Sequence, residues 1–487
     1  MMAPWIDEVR RLGPPVVVGA VGSVATVLGA LAPWSPAVHH TERAWFIGVP
    51  WPPFSREVST LVAAGLFYAG VILMIRGWLA VMRRSSDAHI SPAGVAAIAA
   101  LWAIPLIIGP PLLTRDPFSY AAQGEIFSQG FDPYHHSPEV LGHGDFYRSV
   151  DPLWRTTAAP YGPLFLLIAR SATRLAGHRL FLSIVLLKLA CVAGMALIAT
   201  YLPRLAKASG KDPTAAVAFV LLNPITLLHL IGGAHNEAIM IGLLVMGLAL
   251  ALEERPLAGI ALCVLAGAVK LPAMAGAVFV AWHWASAQAG ITARLRRIGL
   301  GAAVAGATLV GLTLVAGTSW GWITLVTTPT RVQSYLSPVT TTGIGIGATL
   351  GLAGVPHDVF LLAWQLSFIG IALFLATRAL IRVRRDGLAR ATGSALLAVA
   401  VLSPVLFPFY LLWGLVPLAA AGFRHLKPLA IVASIGLSLA LLPGGRDLLD
   451  AVVALGPWWA AGAVAGLFAL SVPTQPLLRS RSTLSPT

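Results

Sequence analysis

The chain has 487 residues, of which 57% are apolar and only 11% are charged, and its mean hydropathy is +0.81. Soluble domains carry roughly 25% charged residues, so this composition excludes a water-soluble fold and predicts a polytopic membrane protein. The net charge of +14 does not indicate nucleic-acid binding, because many of the lysines and arginines lie in short links between apolar runs. Links of this kind are typical of cytoplasmic loops.

These basic links allow the membrane crossings to be counted in chain order. If every link faces the cytosol, an even number of crossings must separate any two of them. The links contain Arg10-Arg11, Arg83-Arg84, Arg204 to Lys211, Arg294 to Arg297, Arg378 to Arg390, Arg424 to Lys427, and a tail with Arg479 and Arg481.

The count gives an all-α polytopic membrane protein with about 14 transmembrane helices. The 30-residue run 257–286 is too long for one span and is predicted to turn at Lys270-Leu271-Pro272. The pieces 160–176 and 341–355 are surplus, and the first is interpreted as a half-inserted or interfacial helix. Crossings are predicted near 15–33, 58–81, 90–113, 180–203, 212–231, 236–252, twice in 257–286, near 298–318 and 357–380, and as hairpins in 391–422 and 428–473.

Two outward segments are too long to be simple turns, and they define the predicted organisation of the chain. Residues 1–290 form an N-terminal membrane module with a large outer loop, 114–159. Residues 291–473 form a C-terminal membrane module with a second outer segment, 319–356, and residues 474–487 are predicted to be a disordered tail.

The first outer loop places acidic residues directly after a span, at the depth of lipid headgroups. Asp116, Asp132 and Asp151 each precede a proline, as Asp212 does in a link assigned to the cytosol. Asp-Pro is a strong helix-start signal in which the aspartate caps the helix. Since Asp212 lies on the wrong side for catalysis, at least one of these pairs is expected to be only a cap.

Further polar residues are candidates for binding, each with a plain structural alternative. Lys270 lies within an apolar run, where a charge is expensive and usually functional; it would otherwise snorkel or pair with an acidic neighbour. The outward end of one span carries His235, Asn236 and Glu237. Their polar groups are predicted either to contact substrate or only to mark the start of a helix. Tyr161 stacks on a sugar or belongs to the interfacial aromatic belt, and Arg331 lies in the second outer segment.

Several motifs, in their order along residues 90–290, resemble a known family. The chain is similar to the GT-C superfamily and, more narrowly, to the polyprenol-phosphomannose-dependent α-1,6-mannosyltransferases of mycobacteria and corynebacteria. Position 237 is Glu where the resemblance leads us to expect Asp. The motifs are Asp116 to Gly124, Gly130 to Tyr134, Tyr161 to Leu164, Gly232 to Glu237, and Val269 to Pro272.

The resemblance implies an inverting transfer of mannose from a β-linked polyprenyl phosphomannose to an α-1,6-mannan lipoglycan acceptor. It makes Asp116 the general base, Asp132 being the alternative, and Lys270 a phosphate ligand. The enzyme would lie in the plasma membrane with its site on the non-cytosolic face, and no cofactor or metal is implied. The candidate substrate-binding residues are Tyr120, Gln123, Asp132, Tyr134, Tyr161, His235, Asn236, Glu237, Lys270 and Arg331.

Two other classes of protein share many of these features. A transporter or flippase of a lipid-linked sugar also has many spans and buried charges, but transporters often show paired repeats with broken helices. No such pairing is visible in this sequence. A GT-C enzyme that uses another sugar, such as arabinose, is the second alternative.

Overall fold

The computed structural model describes residues 8–10, 12–30, 56–85, 90–323, 334, 336–351 and 354–440. Within these ranges every regular element is helical, as predicted. The α-helices are α1 (Pro14–Gly29), α2 (Arg56–Arg84), α3 (Pro92–Ile108), α4 (Asp116–Ser128), α5 (Asp145–Ser149), α6 (Pro163–Leu175), α7 (Leu180–Ala208), α8 (Pro213–Leu221), α9 (Glu237–Leu252), α10 (Pro256–Gly267), α11 (Met274–Ser286), α12 (Ile291–Ala316), α13 (Pro338–Gly351), α14 (His357–Ile381), α15 (Val383–Asp386), α16 (Leu388–Val401), α17 (Leu411–Ala421) and α18 (Lys427–Leu439).

Short π- and 3-10-helical segments connect these elements. A π-helix, Thr226–Gly232, follows α8 after a break and is bent by 64° from it. Single 3-10 turns cover Pro138–Leu141, Pro152–Trp154, Leu271–Ala273, Pro408–Tyr410 and Arg424–Leu426.

Four helices among the described residues are long and apolar enough to cross a bilayer, or five if the bent pair counts as one span. They are Leu61–Arg84, Leu180–Ala208, Ile291–Ala316 and His357–Ile381. Seven shorter apolar helices of 10–17 residues occupy other predicted crossings, among them α9 and α10. The predicted total of about 14 crossings stays a prediction, because length and composition qualify only four or five helices as full spans and the second half of the predicted hairpin 428–473 lies outside the described residues.

The predicted break in the run 257–286 is confirmed. Helices α10 and α11 flank a 3-10 turn, Leu271–Ala273, and Lys270 directly precedes that turn in extended backbone. The surplus piece 160–176 forms α6, which buries Phe165, Leu166 and Ala169 against α4 and the loop around it. Its position at the membrane interface stays a prediction.

Small residues allow the central helices to pack closely. A Cβ at Gly194 of α7 would lie 2.5 Å from the backbone of Ala238 in α9, and one at Gly242 would lie 2.5 Å from Gly194 O. Close backbone approach at glycines is the usual way in which membrane helices associate. This packing fixes the start of α9 beside α7, and the candidate site lies at that end.

Candidate active site

Asp116 is the first residue of α4, but it does not cap that helix. The N-cap position is Arg115, whose side chain makes no capping hydrogen bond, and the Asp116 N–H donates to Thr114 Oγ1 at 3.0 Å. The other Asp-Pro aspartates behave differently, because the carboxylates of Asp132, Asp151 and Asp212 each accept the backbone N–H two residues on. The expected cap at Asp212 is therefore confirmed, while the carboxylate of Asp116 is left for other partners.

The partner of Asp116 is His235, which lies just before α9. Its Nδ1 lies 3.2 Å from Asp116 Oδ2, and the two side chains are 2% and 29% exposed. Phe409 stacks on the histidine ring with centroids 3.8 Å apart and an interplanar angle of 28°. The imidazole is thus held between an aromatic face and a carboxylate that remains partly accessible.

The environment keeps the Asp116 carboxyl ionised. Burial by itself raises its pKa, but the contact with His235, the charges of His235 and Lys270, and a hydrogen bond with Thr114 together lower it. The pKa of Asp116 therefore lies below its ordinary value, so the group is a carboxylate at neutral pH. The N-terminal end of α4, with its positive dipole, favours the same charge state.

Lys270 forms a close ion pair with Glu237, the first residue of α9. The Glu237 side chain is completely buried, whereas that of Lys270 is 18% exposed. Aromatic rings surround the ammonium group, and Tyr410 is the nearest at 4.7 Å from its centroid. The other rings belong to Tyr161, Trp413 and Phe409, at 6.0, 5.7 and 5.8 Å. Since Phe409 also stacks on His235, one aromatic wall joins the two charged pairs.

Several buried polar atoms on the segments that build this site have no hydrogen-bond partner in the protein. Buried donors and acceptors are almost always satisfied, and each one left unpaired costs about 1–3 kcal/mol. A polar ligand with many hydroxyl groups would satisfy such atoms. They are Ser119 Oγ, Gln123 Oε1, Thr226 Oγ1, His229 Nδ1, both ring nitrogens of His235 (Nδ1 meets Asp116 only at ion-pair distance), both amide atoms of Asn236, Glu237 Oε2 and Trp413 Nε1.

Comparison with known proteins identifies the group to which this site belongs. A family model described as "Alpha-(1->6)-mannopyranosyltransferase, N-terminal domain" matches residues 16–286, and a second, the "MptB C-terminal domain", matches residues 339–471. The chain belongs to the α-(1→6)-mannopyranosyltransferase family. The resemblance drawn from the sequence motifs is thereby confirmed.

Individual relatives match most of the chain. α-(1→6)-Mannopyranosyltransferase A of Mycobacterium tuberculosis is 32% identical, covering 88% of this chain and 83% of the relative. A probable α-(1→6)-mannopyranosyltransferase of Mycolicibacterium smegmatis is 31% identical over 89% and 84% of the two chains. α-(1→6)-Mannopyranosyltransferase B of Corynebacterium glutamicum is 29% identical over 91% and 79%.

Each family motif has a definite place in this member of the family. The Tyr161-Gly162 turn packs against the end of α10, where Gly162 and Leu164 N–H donate to Val269 O and Ala268 O. A Cβ at Gly162 would lie only 2.2 Å from Ala268 O, so only glycine fits. Tyr120, Tyr161 and Phe165 stack edge to face at 4.8–5.2 Å, which links α4 to the Lys270 turn.

Asp132 and Tyr134 tie the first outer loop to the segment after α12. Asp132 accepts the backbone N–H groups of Tyr134 and Ser319, at 2.9 and 3.3 Å. These hydrogen bonds outweigh its partial burial and lower its pKa. The Tyr134 hydroxyl donates to Tyr161 O at 3.0 Å. Asp132 is thus engaged by the backbone, whereas the carboxylate of Asp116 is not. Arg331, the remaining sequence candidate, lies outside the described residues.

The backbone segments just before Asp116 and His235 contain strained residues and are hydrogen-bonded to each other. Leu113 and Ala234 adopt positive φ angles of 63° and 48° without being glycine, a costly conformation that clusters at functional sites. Leu112 N–H donates to Gly232 O at 2.9 Å, which joins the two segments. The buried Lys188 donates to Leu106 O and Gly109 O at 2.7 and 2.6 Å, at the end of α3.

The sequence interpretation missed the aromatic wall and His229. Phe409, Tyr410 and Trp413 follow Pro404 and Pro408 in a run that was interpreted as a simple hairpin. Prolines that interrupt an apolar run beside clustered aromatic residues are the signal that predicts a break of this kind. His229 lies in the π-helix, 5.9 Å from the His235 ring, and nothing in the spacing of the sequence marks it.

Proposed function

We propose that the protein is an inverting mannosyltransferase that moves mannose from polyprenyl phosphomannose to an α-1,6-mannan lipoglycan acceptor. The observation that carries the proposal is the uncapped Asp116 carboxylate, paired with buried His235 and linked through Phe409 to the Lys270–Glu237 pair. The relatives are α-(1→6)-mannopyranosyltransferases, which supports the reaction class.

In the proposed reaction the acceptor hydroxyl at position 6 attacks the anomeric carbon of the donor. Asp116 takes the hydroxyl proton as the new C–O bond forms, and the bond from carbon to the phosphate oxygen breaks on the opposite side. The β-linked donor therefore gives an α-linked product and free polyprenyl phosphate. A general base of this kind contributes roughly 10²- to 10⁴-fold to the rate.

The leaving phosphate requires positive potential rather than a general acid. Lys270 supplies a cation that is still partly accessible despite its pairing with Glu237. Helices α4 and α9 begin at this site without a side-chain cap, and the positive ends of their dipoles favour an anion there. We assign sugar recognition to Tyr120, Gln123, Tyr134, Tyr161, His235 and Asn236, whose polar atoms lie on the surrounding segments.

The remaining assignments follow from this function. We place the enzyme in the plasma membrane with a GT-C fold of about 14 crossings, a 1–290 and a 291–473 module, and the site on the non-cytosolic face. The aromatic wall formed by Phe409, Tyr410 and Trp413 comes from the second of these modules, so both would be required for activity. No metal has a role in this scheme.

The decisive experiment replaces the proposed base in the purified full-length enzyme. We expect Asp116→Asn to bind the donor but to lower kcat by roughly 10²- to 10⁴-fold, measured with radiolabelled polyprenyl phosphomannose and a short α-1,6-mannoside. The matched control is Asp151→Asn, since Asp151 is also an Asp-Pro residue of the first outer loop but caps a 3-10 turn. Wild-type turnover by Asp116→Asn would disprove the assignment of the base.

A further inference from the structure

A cavity separate from the candidate active site lies at the other end of α9 and α17. Its volume is about 620 Å³, and it is lined by the last residues of α7, α9 and α17 and by the start of α16. Helix α9 begins at Glu237 in the active site and reaches this cavity at Leu252. Its 16 residues span about 24 Å, most of the thickness of a hydrocarbon core.

The lining of this cavity is predominantly basic. Among the described residues that line it, Lys211, Arg390 and Lys427 contribute three cations, and Asp386 contributes one carboxylate. Arg390 donates to Ala421 O, which anchors its guanidinium in the wall. The carbon chain of Lys211 lies over Gly422, where an added Cβ would come within 3.1 Å of it. The positions of two of the cations are therefore set by packing and hydrogen bonding.

Backbone and side-chain donors add to this positive charge. Gly387, with a φ of +86°, is the N-cap of α16, which has no side-chain cap, and Gly387 and the first residues of α16 line the cavity. His283 also lines the cavity, and its Nδ1 is buried without a hydrogen-bond partner. Leu252 and Phe423 supply an apolar portion. A cationic pocket with an apolar side suits a phosphate group attached to a less polar body.

We propose that this cavity is a binding site for a phosphate-bearing anion at the face opposite the active site. All three cations belong to links that the charge pattern assigns to the cytosol, and basic pockets between helices on that side bind phospholipid headgroups. The same chemistry would hold a soluble phosphate ester, so the two sources must be separated by experiment.

The test uses the full-length protein in a neutral detergent, titrated with dioctanoyl phosphatidylglycerol in one arm and with glycerol 3-phosphate in the other. Binding is measured by native mass spectrometry or calorimetry, and we expect it to be saturable in at least one arm. Lys211→Gln/Lys427→Gln should weaken that binding by roughly tenfold or more. Binding of the lipid alone identifies a headgroup site, and binding of glycerol 3-phosphate of similar strength identifies a soluble ester.

The matched control is Lys207→Gln/Arg385→Gln, which removes two cations from the links that contain Lys211 and Arg390 but outside the cavity lining. This variant should bind as the wild type does. Equal weakening in both double variants would reveal general surface attraction and overturn the proposal, as would the absence of saturable binding in both arms. Neither double variant touches the active site, so transfer activity in neutral detergent reports that each remains folded.

Discussion

At the scale of single residues, His235 is the side chain through which the site is held together. It contacts the carboxylate of Asp116 on one side and the ring of Phe409 on the other, and its carbonyl accepts a weak hydrogen bond from Cys191 Sγ at 3.4 Å. Because it is only 2% exposed, we assign it a positioning role toward Asp116 and direct contact with substrate only through Nε2.

The pH profile of activity should report this role. In the native enzyme the pKa of Asp116 is lowered, so the carboxylate stays ionised, and activity should fall only as pH drops through that lowered value. His235→Gln removes a contact that lowers the pKa of Asp116, while burial continues to raise it. The pKa of Asp116 should therefore rise, and the acid limb of kcat/KM should move to higher pH.

The control for this measurement is His143→Gln, an exposed histidine of the first outer loop, which should leave the profile unchanged. A His235→Gln enzyme that loses activity equally at every pH, with no movement of the acid limb, would contradict the coupling between His235 and Asp116.

Lys270 and Glu237 can be separated by a double substitution. Lys270→Met leaves the fully buried Glu237 carboxylate without its cation, and breaking a buried pair in this way costs roughly 3–5 kcal/mol. Lys270→Met/Glu237→Gln removes both charges, so the unfolding temperature should largely recover. Donor affinity should stay low in both variants if Lys270 binds the phosphate, as competition with unlabelled polyprenyl phosphate would measure. Wild-type donor affinity in the double variant would assign Lys270 a purely structural role.

At the scale of elements, the site is made by interruptions in helices. The turn after α10 presents Lys270, the break after α8 leads into the π-helix with His229, and the 3-10 turn before α17 presents Phe409. Backbone groups freed at such breaks need partners within the protein, and the Tyr161–Leu164 segment provides some of them by donating to Ala268 O and Val269 O.

This contact predicts a strong effect of a very small substitution. Gly162→Ala would place a methyl group 2.2 Å from Ala268 O, so the first outer loop must move away from the Lys270 turn. We expect a lower unfolding temperature and a kcat/KM reduced by roughly tenfold or more, since small displacements of positioning groups cost about that much. Gly144→Ala is the control, because its Cβ would meet nothing within 4 Å; equal effects of the two substitutions would remove the steric explanation.

At the scale of the whole molecule, the active site and the basic cavity lie at opposite ends of α9 and α17. The active-site end carries the loop 114–159 and the carboxylates of Asp116 and Glu237, and the cavity end carries Lys211, Arg390 and Lys427. This polarity follows the basic links, which set orientation.

The orientation can be measured by labelling single introduced cysteines in intact cells. Both native cysteines, Cys191 and Cys263, are buried, so background labelling should be low. Gly144→Cys in the first outer loop should react with a membrane-impermeant maleimide from outside. Arg385→Cys, near the basic cavity, should react only after permeabilisation; the reverse pattern would place Asp116 in the cytosol and end the proposed reaction.

A large part of the fold and of the candidate site could be predicted from the sequence. Hydropathy and basic links placed the helices and the break at Lys270, and the order of motifs identified the family and brought Asp116, His235, Glu237 and Lys270 under consideration. Hydropathy did not resolve which apolar runs form unbroken helices: α8 and the π-helix are bent by 64° at a break that contains Asn223, whose side-chain amide donates to Ser434 Oγ from a distant helix.

The sequence by itself determined that the protein lies in a membrane, which family it belongs to, and which polar residues stand within or beside apolar runs. These follow from the cost of polar groups in hydrocarbon, which is a property of each residue and its neighbours along the chain. Tertiary structure alone decided that Asp116, of the four Asp-Pro aspartates, does not accept a backbone N–H two residues on. It also decided that Glu237 pairs with Lys270, and that Phe409 stacks on His235, from which it is separated by about 170 residues in sequence. These outcomes depend on distances between segments that are remote in sequence, and such distances are fixed only when the helices pack together.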